Sequence, residues 1–190
     1  MHKRLFIAIK INPTEEFLRR IYFLKSNLKH ELINWIRKDH YHLTLKFLGK
    51  VDIRRIEEIS KVVETSMLNI EKQEFQVGEL GIFGSKYHPR VLWLSVSNQD
   101  KIMQLHKEIV AALNTVGFYD DGQNFVPHIS IARIKKLGDK DFFQSILNKS
   151  DKNLVNKQTL NEVILYESIL GDKGAEYNVI DRFEIGGNTN

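Results

Sequence analysis

The chain has no cysteine among its 190 residues, only three prolines, and no apolar run long enough to cross a bilayer. Without cysteine, disulfides and thiolate metal sites are excluded, and a thiol-free chain suits a reducing compartment. The charged start, Met1-His2-Lys3-Arg4, precedes an apolar run over residues 5–9 that is too short for a signal peptide. A soluble, cytoplasmic protein is therefore expected. No linker rich in Pro, Gly or Ser divides the chain and nothing reads as disordered, so residues 1–190 are expected to form a single domain of two closely joined lobes, acting as a monomer. The formal charge of +4 and pI near 9.1 suit an anionic substrate and equally suit an ordinary solvated surface.

What the chain does contain is a repeated pattern. The stretch Asp39-His40-Tyr41-His42-Leu43-Thr44-Leu45-Lys46-Phe47-Leu48-Gly49 has an echo in Pro127-His128-Ile129-Ser130-Ile131-Ala132-Arg133. Side chains of an extended strand alternate between faces, so His42 and Thr44 project to one side and Leu43 and Leu45 to the other. The same parity pairs His128 with Ser130. With 7 His and 16 Ser plus Thr in the chain, a His-x-Ser/Thr triplet arises by chance roughly 0.6 times, and two copies followed by an aliphatic residue in roughly one such sequence in seventy. The histidines stand 86 residues apart, and that offset also carries Arg4-Leu5 onto Arg90-Val91 and Ile7 onto Trp93. The chain reads as two related halves.

The order of elements agrees. An apolar strand over Leu5–Ile9 leads to a helix opened by Asn12-Pro13-Thr14-Glu15, with Asn12 as cap and Phe17, Ile21, Leu24 and Leu28 at helical spacing. A strand over Ile33–Ile36 leads into the His42 strand, which ends at Gly49. Asp52 caps a second helix carrying Ile56, Ile59, Val63 and Met67, and a strand over Phe75–Ile82 follows. The second half repeats this: a strand over Val91–Val96, a helix capped by Asp100 and stopped at Gly117, a polar loop over Tyr119–Gln123, the His128 strand, a helix opened by Gly138-Asp139, and a strand over Glu162–Ser168. A last strand over Glu176–Ile185 precedes a frayed tail, Gly186–Asn190. The predicted fold class is α+β, with two pseudo-symmetric lobes, each an antiparallel sheet flanked by helices, around a central cleft carrying the two motifs.

The paired motifs resemble the signature of the two-histidine phosphoesterase superfamily. Within it the chain is most similar to the bacterial and archaeal RNA 2′,3′-cyclic phosphodiesterases, historically called 2′-5′ RNA ligases. The likeness extends over Arg4-Leu5-Phe6-Ile7-Ala8, Gly81-Ile82-Phe83, Arg90-Val91-Leu92-Trp93-Leu94, Gly117-Phe118, Leu165-Tyr166-Glu167-Ser168 and Tyr177. One departure is Ser130, where the family usually has threonine; serine keeps the hydroxyl and loses the methyl that restricts its rotation.

The chemistry follows from the residues. Opening a five-membered cyclic phosphate needs a water made nucleophilic on one side of phosphorus and a proton delivered to the departing ribose oxygen on the other. Two imidazoles with pKa values near 6.5 meet that need, each worth ~10²–10⁴ in rate. The hydroxyls of Thr44 and Ser130 would hold the non-bridging oxygens. Ring strain already activates such a substrate, so no metal or other cofactor is demanded. The resemblance implies hydrolysis of RNA ends or nucleotide 2′,3′-cyclic phosphates to a 2′-phosphate. His42 is assigned as acid to O3′ and His128 as base to water, roles that the near symmetry of the halves makes exchangeable. A ribose hydroxyl in place of water would give 2′-5′ RNA ligase activity.

Other readings stand beside this one. The resemblance implies that Arg133 reaches the phosphate or base, yet a regular strand would turn it away from His128, so a bulge or an early strand end is required. Phe83 suits base stacking and core packing equally. Lys46, placed on the His42 face, either attracts phosphate or solvates the strand end. Asp39, His40 and His42 could bind zinc, but no matched further ligands accompany them. His2, His30, His88 and His106 have no pattern around them. Alternative functions are a phosphodiesterase of the same superfamily acting on 2′,5′-oligoadenylate or another small nucleotide, and a non-catalytic RNA-end binding module.

Overall fold

A computed structural model of the chain describes residues 1–120, 122, 124–150, 153–171 and 174–186, so residues 121 and 123 of the polar loop and most of the tail expected to fray lie outside the described residues. The first strand, β1 (His2–Lys10), is buried on both faces, which is why its sequence is a continuous apolar run and not an alternation. Helix α1 (Glu15–Asn27) follows, capped by Thr14, not Asn12: the Thr14 hydroxyl accepts from the backbone N–H of Phe17. Thr14 is held at the cap position by its own contacts, its N–H donating to Asn156 and its hydroxyl to the Val155 carbonyl.

Then come β2 (Leu32–Trp35), a one-turn helix over Lys38–His40, β3 (His42–Asp52), a second short turn capped by Asp52, and α2 (Ile56–Met67). Strand β4 (Gln73–Gly84) closes the first half. The second runs through β5 (Pro89–Val96), α3 (Gln99–Asn114), β6 (His128–Lys136), α4 (Lys140–Lys149), β7 (Asn156–Leu160), β8 (Glu162–Gly171) and β9 (Gly174–Glu184). Asp100 lies in the first turn of α3, whose cap position is Asn98 in a left-handed conformation. The β7 segment, Asn-Lys-Gln-Thr-Leu, is an edge strand with no apolar alternation to mark it in the sequence.

All recorded strand pairs are antiparallel, in the order β7-β4-β5-β6-β3-β1-β8-β9, with β2 added beside β6. The fold is α+β. Each side of the sheet mixes the two halves: β4, from the first half, pairs with β5, and β8, from the second, pairs with β1. At the centre β3 and β6 are joined by one pair, Leu43 opposite Ile129. Beyond it β6 pairs with β2 while β3 pairs with β1 alone, so the two strands part. Buried apolar residues from all four helices pack with Leu5, Ile7, Leu43, Leu45, Leu92, Leu94, Ile129 and Ile131 in the main core on one face. Phe6, Ala8, Ile164 and Tyr166, with Tyr177 against them, form a smaller cluster on the other face.

Candidate active site

The single central pair sets the site. An antiparallel register through Leu43 and Ile129 brings His42 across from Ser130 and Thr44 across from His128. Burial along the strands follows the expected parity: Leu43, Leu45, Ile129 and Ile131 are sealed in the core, while His42, Thr44, His128 and Ser130 are partly exposed on the opposite face. Two imidazoles and two hydroxyls therefore share one patch of sheet. Neither hydroxyl is hydrogen-bonded to another of the described residues.

Both strands then change phase at the same point. On β3, Ala8 pairs with Thr44 and Ile7 with Lys46, leaving Leu45 as the extra residue of a bulge; on β6, Trp93 pairs with Ser130 and Leu92 with Ala132, leaving Ile131 extra. Two successive residues are buried on each strand, and Phe47 and Arg133 emerge on the histidine face. Arg133 thus lies on the histidine side of the sheet, close enough to act electrostatically on His42 and Tyr177. Lys46 is corrected by the same bulge. It does not share the His42 face but is buried opposite Ile7, its Nζ 3.1 Å from Asp120 Oδ1. The register also shifts the relation between the halves by one residue, because Ala8, not Ile7, occupies the place of Trp93.

Each catalytic-type imidazole is fixed by a carbonyl two residues upstream. His42 Nδ1 lies 2.7 Å from the His40 carbonyl and His128 Nδ1 2.8 Å from that of Val126. A carbonyl only accepts, so Nδ1 carries the hydrogen and Nε2 is the free nitrogen of the neutral ring. Aromatic rings wall both: Phe6 and Tyr177 at 5.1 Å from His42, Phe83 at 4.6 Å and Trp93 at 6.1 Å from His128. Burial among these rings lowers the pKa of His42 to about 4, with the charges of His40, His128 and Arg133 adding to the effect. Burial also lowers that of His128. Because the charge of His128 bears on His42, the two rings sense one another across the cleft.

Residues beyond the two His-x-Thr/Ser motifs complete the site; Tyr177 and Phe83 belong to the family likeness, whereas Arg37, Glu176 and Phe125 carry no sequence signal of their own. Tyr177 lies at the junction of Phe6, His40 and His42. His40 belongs to a small ionic network: its Nε2 is 3.5 Å from Glu176 and 3.7 Å from Asp39, both of which Arg37 binds. The hydrogen bond from Arg37 holds the Asp39 pKa at about 2. His106, on α3, stacks on Phe125 at 4.0 Å and bonds the Leu45 carbonyl, bracing the bulge and the approach to β6 together. Phe83 lies at the edge of the site, against His128 and Trp93. Among the described residues no group of three or more His, Asp or Glu side chains is arranged to hold a metal.

The family described as the 2'-5' RNA ligase superfamily matches residues 13–169 of the chain. The RNA 2',3'-cyclic phosphodiesterase of Thermotoga maritima is 32% identical over 93% of this chain and 92% of its own length. That of Aquifex aeolicus is 32% identical over 96% and 95%. In fold, the chain is similar to a protein of Thermus thermophilus (TM-score 0.79, 19% identity, covering 97% of this chain and 98% of the other). It is also similar to E. coli LigT in its complex with 3'-AMP (TM-score 0.76, 20% identity, covering 97% and 99%).

Proposed function

This chain belongs to the 2'-5' RNA ligase superfamily, and from that premise we propose that it is an RNA 2′,3′-cyclic phosphodiesterase that converts a terminal 2′,3′-cyclic phosphate to a 2′-phosphate. The observation that carries the reading is a pair of imidazoles on adjacent strands, each with Nδ1 anchored to a main-chain carbonyl and Nε2 free in one cleft. Water attacks phosphorus as the Nε2 of His128 takes its proton. The P–O3′ bond breaks as His42, protonated at Nε2, delivers a proton to O3′, and the two rings exchange protonation states over the turnover. Thr44 and Ser130 donate hydroxyl hydrogen bonds to the non-bridging oxygens, and Arg133 balances the charge that builds there. Phe83 contacts the nucleobase. With a ribose hydroxyl as nucleophile the same machinery forms a 2′,5′ linkage.

Nucleoside 2′,3′-cyclic phosphates incubated with the protein in EDTA, with the products resolved by phosphorus NMR, test the proposal. Turnover to the 2′-phosphate is expected, reduced at least ~10²-fold by either His42→Ala or His128→Ala. Accumulation of the 3′-phosphate, loss of activity on chelation, or activity unaffected by both substitutions would overturn it. Cleavage of 2′,5′-linked oligoadenylate without turnover of cyclic phosphates would move the substrate assignment.

A further inference from the structure

Charge is distributed unevenly around the cleft. On strands β8 and β9 carboxylates outnumber cations: Arg182, the one cation of the two strands, lies 2.6 Å from Glu162, and Glu167 and Glu176 lie 2.7 Å from Lys3 and 2.6 Å from Arg37, while Arg4 and Lys10 of β1 have no ion-pair partner among the described residues. On β5, β6 and the outer end of β4 the balance is reversed. Residues 80–99 and 122–138 contain no carboxylate side chain. Lys86, Arg90, Arg133 and Lys135 there are exposed, and none has an ion-pair partner among the described residues.

Register connects this basic corner to the reacting groups. Gly81, Trp93 and Ser130 form one row across β4, β5 and β6, and Phe83, Val91 and Arg133 form the next row outward. Beyond it β4 and β5 meet in a turn whose Tyr87 is 60% exposed, with the Lys86 ammonium 4.9 Å from its ring centre. At ~3.3 Å per residue this tip stands roughly 10 Å past Phe83. A large aromatic ring left in solvent next to an unpaired cation is the combination that binds single-stranded nucleic acid, with bases on the ring and backbone on the charge.

We infer that the β4–β5 hairpin receives the RNA chain upstream of the terminal cyclic nucleotide, Tyr87 stacking on a base and Lys86 meeting an internucleotide phosphate. The inference rests on the proposed phosphodiesterase reading and adds to it a direction: the polymer leaves the cleft over β4 and β5, not over the carboxylate-rich β8–β9 side. The protein therefore discriminates in favour of an RNA end over a free nucleotide.

The test compares a nucleoside 2′,3′-cyclic phosphate with a short oligoribonucleotide ending in the same group, for the native protein, Tyr87→Ala and Lys86→Gln. Both side chains lie in an exposed turn, so the fold and the mononucleotide rate are expected to stay unchanged. The native protein is expected to favour the oligonucleotide in kcat/KM by roughly tenfold, and each substitution to remove most of that preference. Binding of a fluorescent RNA ending in a 2′-phosphate gives an independent reading: Lys86→Gln is expected to flatten the dependence of log affinity on log salt by about 0.7. No oligonucleotide preference in the native protein, or equal effects of the substitutions on both substrates, would overturn the inference. Absence of turnover on both substrates would instead sink the phosphodiesterase reading, and the salt slope would still decide whether the hairpin holds RNA.

Discussion

A carbonyl two residues before each imidazole does more than orient it. By fixing the hydrogen on Nδ1 it makes Nε2 the basic nitrogen of both rings, and burial then depresses both pKa values, that of His42 to about 4. Both shifts favour the neutral imidazole at neutral pH, a form that supplies a base and not an acid. A phosphate monoanion seated between the rings favours the charged form of one of them, so proton and ligand enter together. Affinity for sulfate, an anion of the same shape whose charge is constant between pH 8 and 5, is accordingly expected to rise as pH falls across that range, with net proton uptake on binding. Calorimetry in buffers of different ionisation enthalpy measures that uptake, and binding without it would contradict a substrate-loaded acid. At this scale the sequence was informative where strand parity holds and silent where it breaks: His42, Thr44, His128 and Ser130 follow from alternation, whereas Lys46 and Arg133 exchange faces because of bulges at Leu45 and Ile131. Nothing in an isolated strand pattern marks a bulge that its partner strand imposes.

At the scale of elements, the walls of the cleft depend on close backbone approach. Gly81 on β4 pairs with Trp93 on β5, and the indole lies so flat on it that a Cβ at position 81 would overlap the ring. Trp93 in turn touches Phe83 and His128. Gly81→Ala is expected to push the indole towards His128, costing about 1–3 kcal/mol of stability and lowering kcat/KM, with Trp93 fluorescence reporting the displacement. A variant with native stability, native fluorescence and native activity would show that the ring has room to spare. Helices were the most legible elements because their apolar spacing is long and regular: Ile59, Val63 and Met67, or Phe17, Ile21 and Leu24, are buried as the pattern requires. Strand β7 was not legible, since an edge strand is stabilised by ladder hydrogen bonds to β4 that leave no mark on composition. Nor was the cap of α1, which is settled by the contacts of Thr14 with Val155 and Asn156.

For the molecule as a whole, the repeat of motifs raises the question whether each half is a folding unit. The pairing argues that it is not. Strand β1 lies between β3 of its own half and β8 of the other, β4 lies between β5 and β7 of the other half, and only Leu43 and Ile129 join the two histidine strands directly. A chain cut in the exposed turn at residues 85–88 would leave the first half with β4 lacking both neighbours and β1 lacking one, and unpaired strand edges together with an uncovered core face do not sustain a cooperative fold. The two fragments are therefore expected to be unfolded singly, with poorly dispersed amide resonances and no thermal transition. Mixed or co-expressed, they are expected to restore both the transition and the reaction, because each supplies the strands the other lacks. A first-half fragment that melts cooperatively alone would show that the crossed strands are dispensable. The same crossing explains why the site has two sources: each half contributes a histidine, a hydroxyl and a bulge on a strand paired within that half, β3 with β1 and β6 with β5, and the two motifs become one site only where Leu43 meets Ile129.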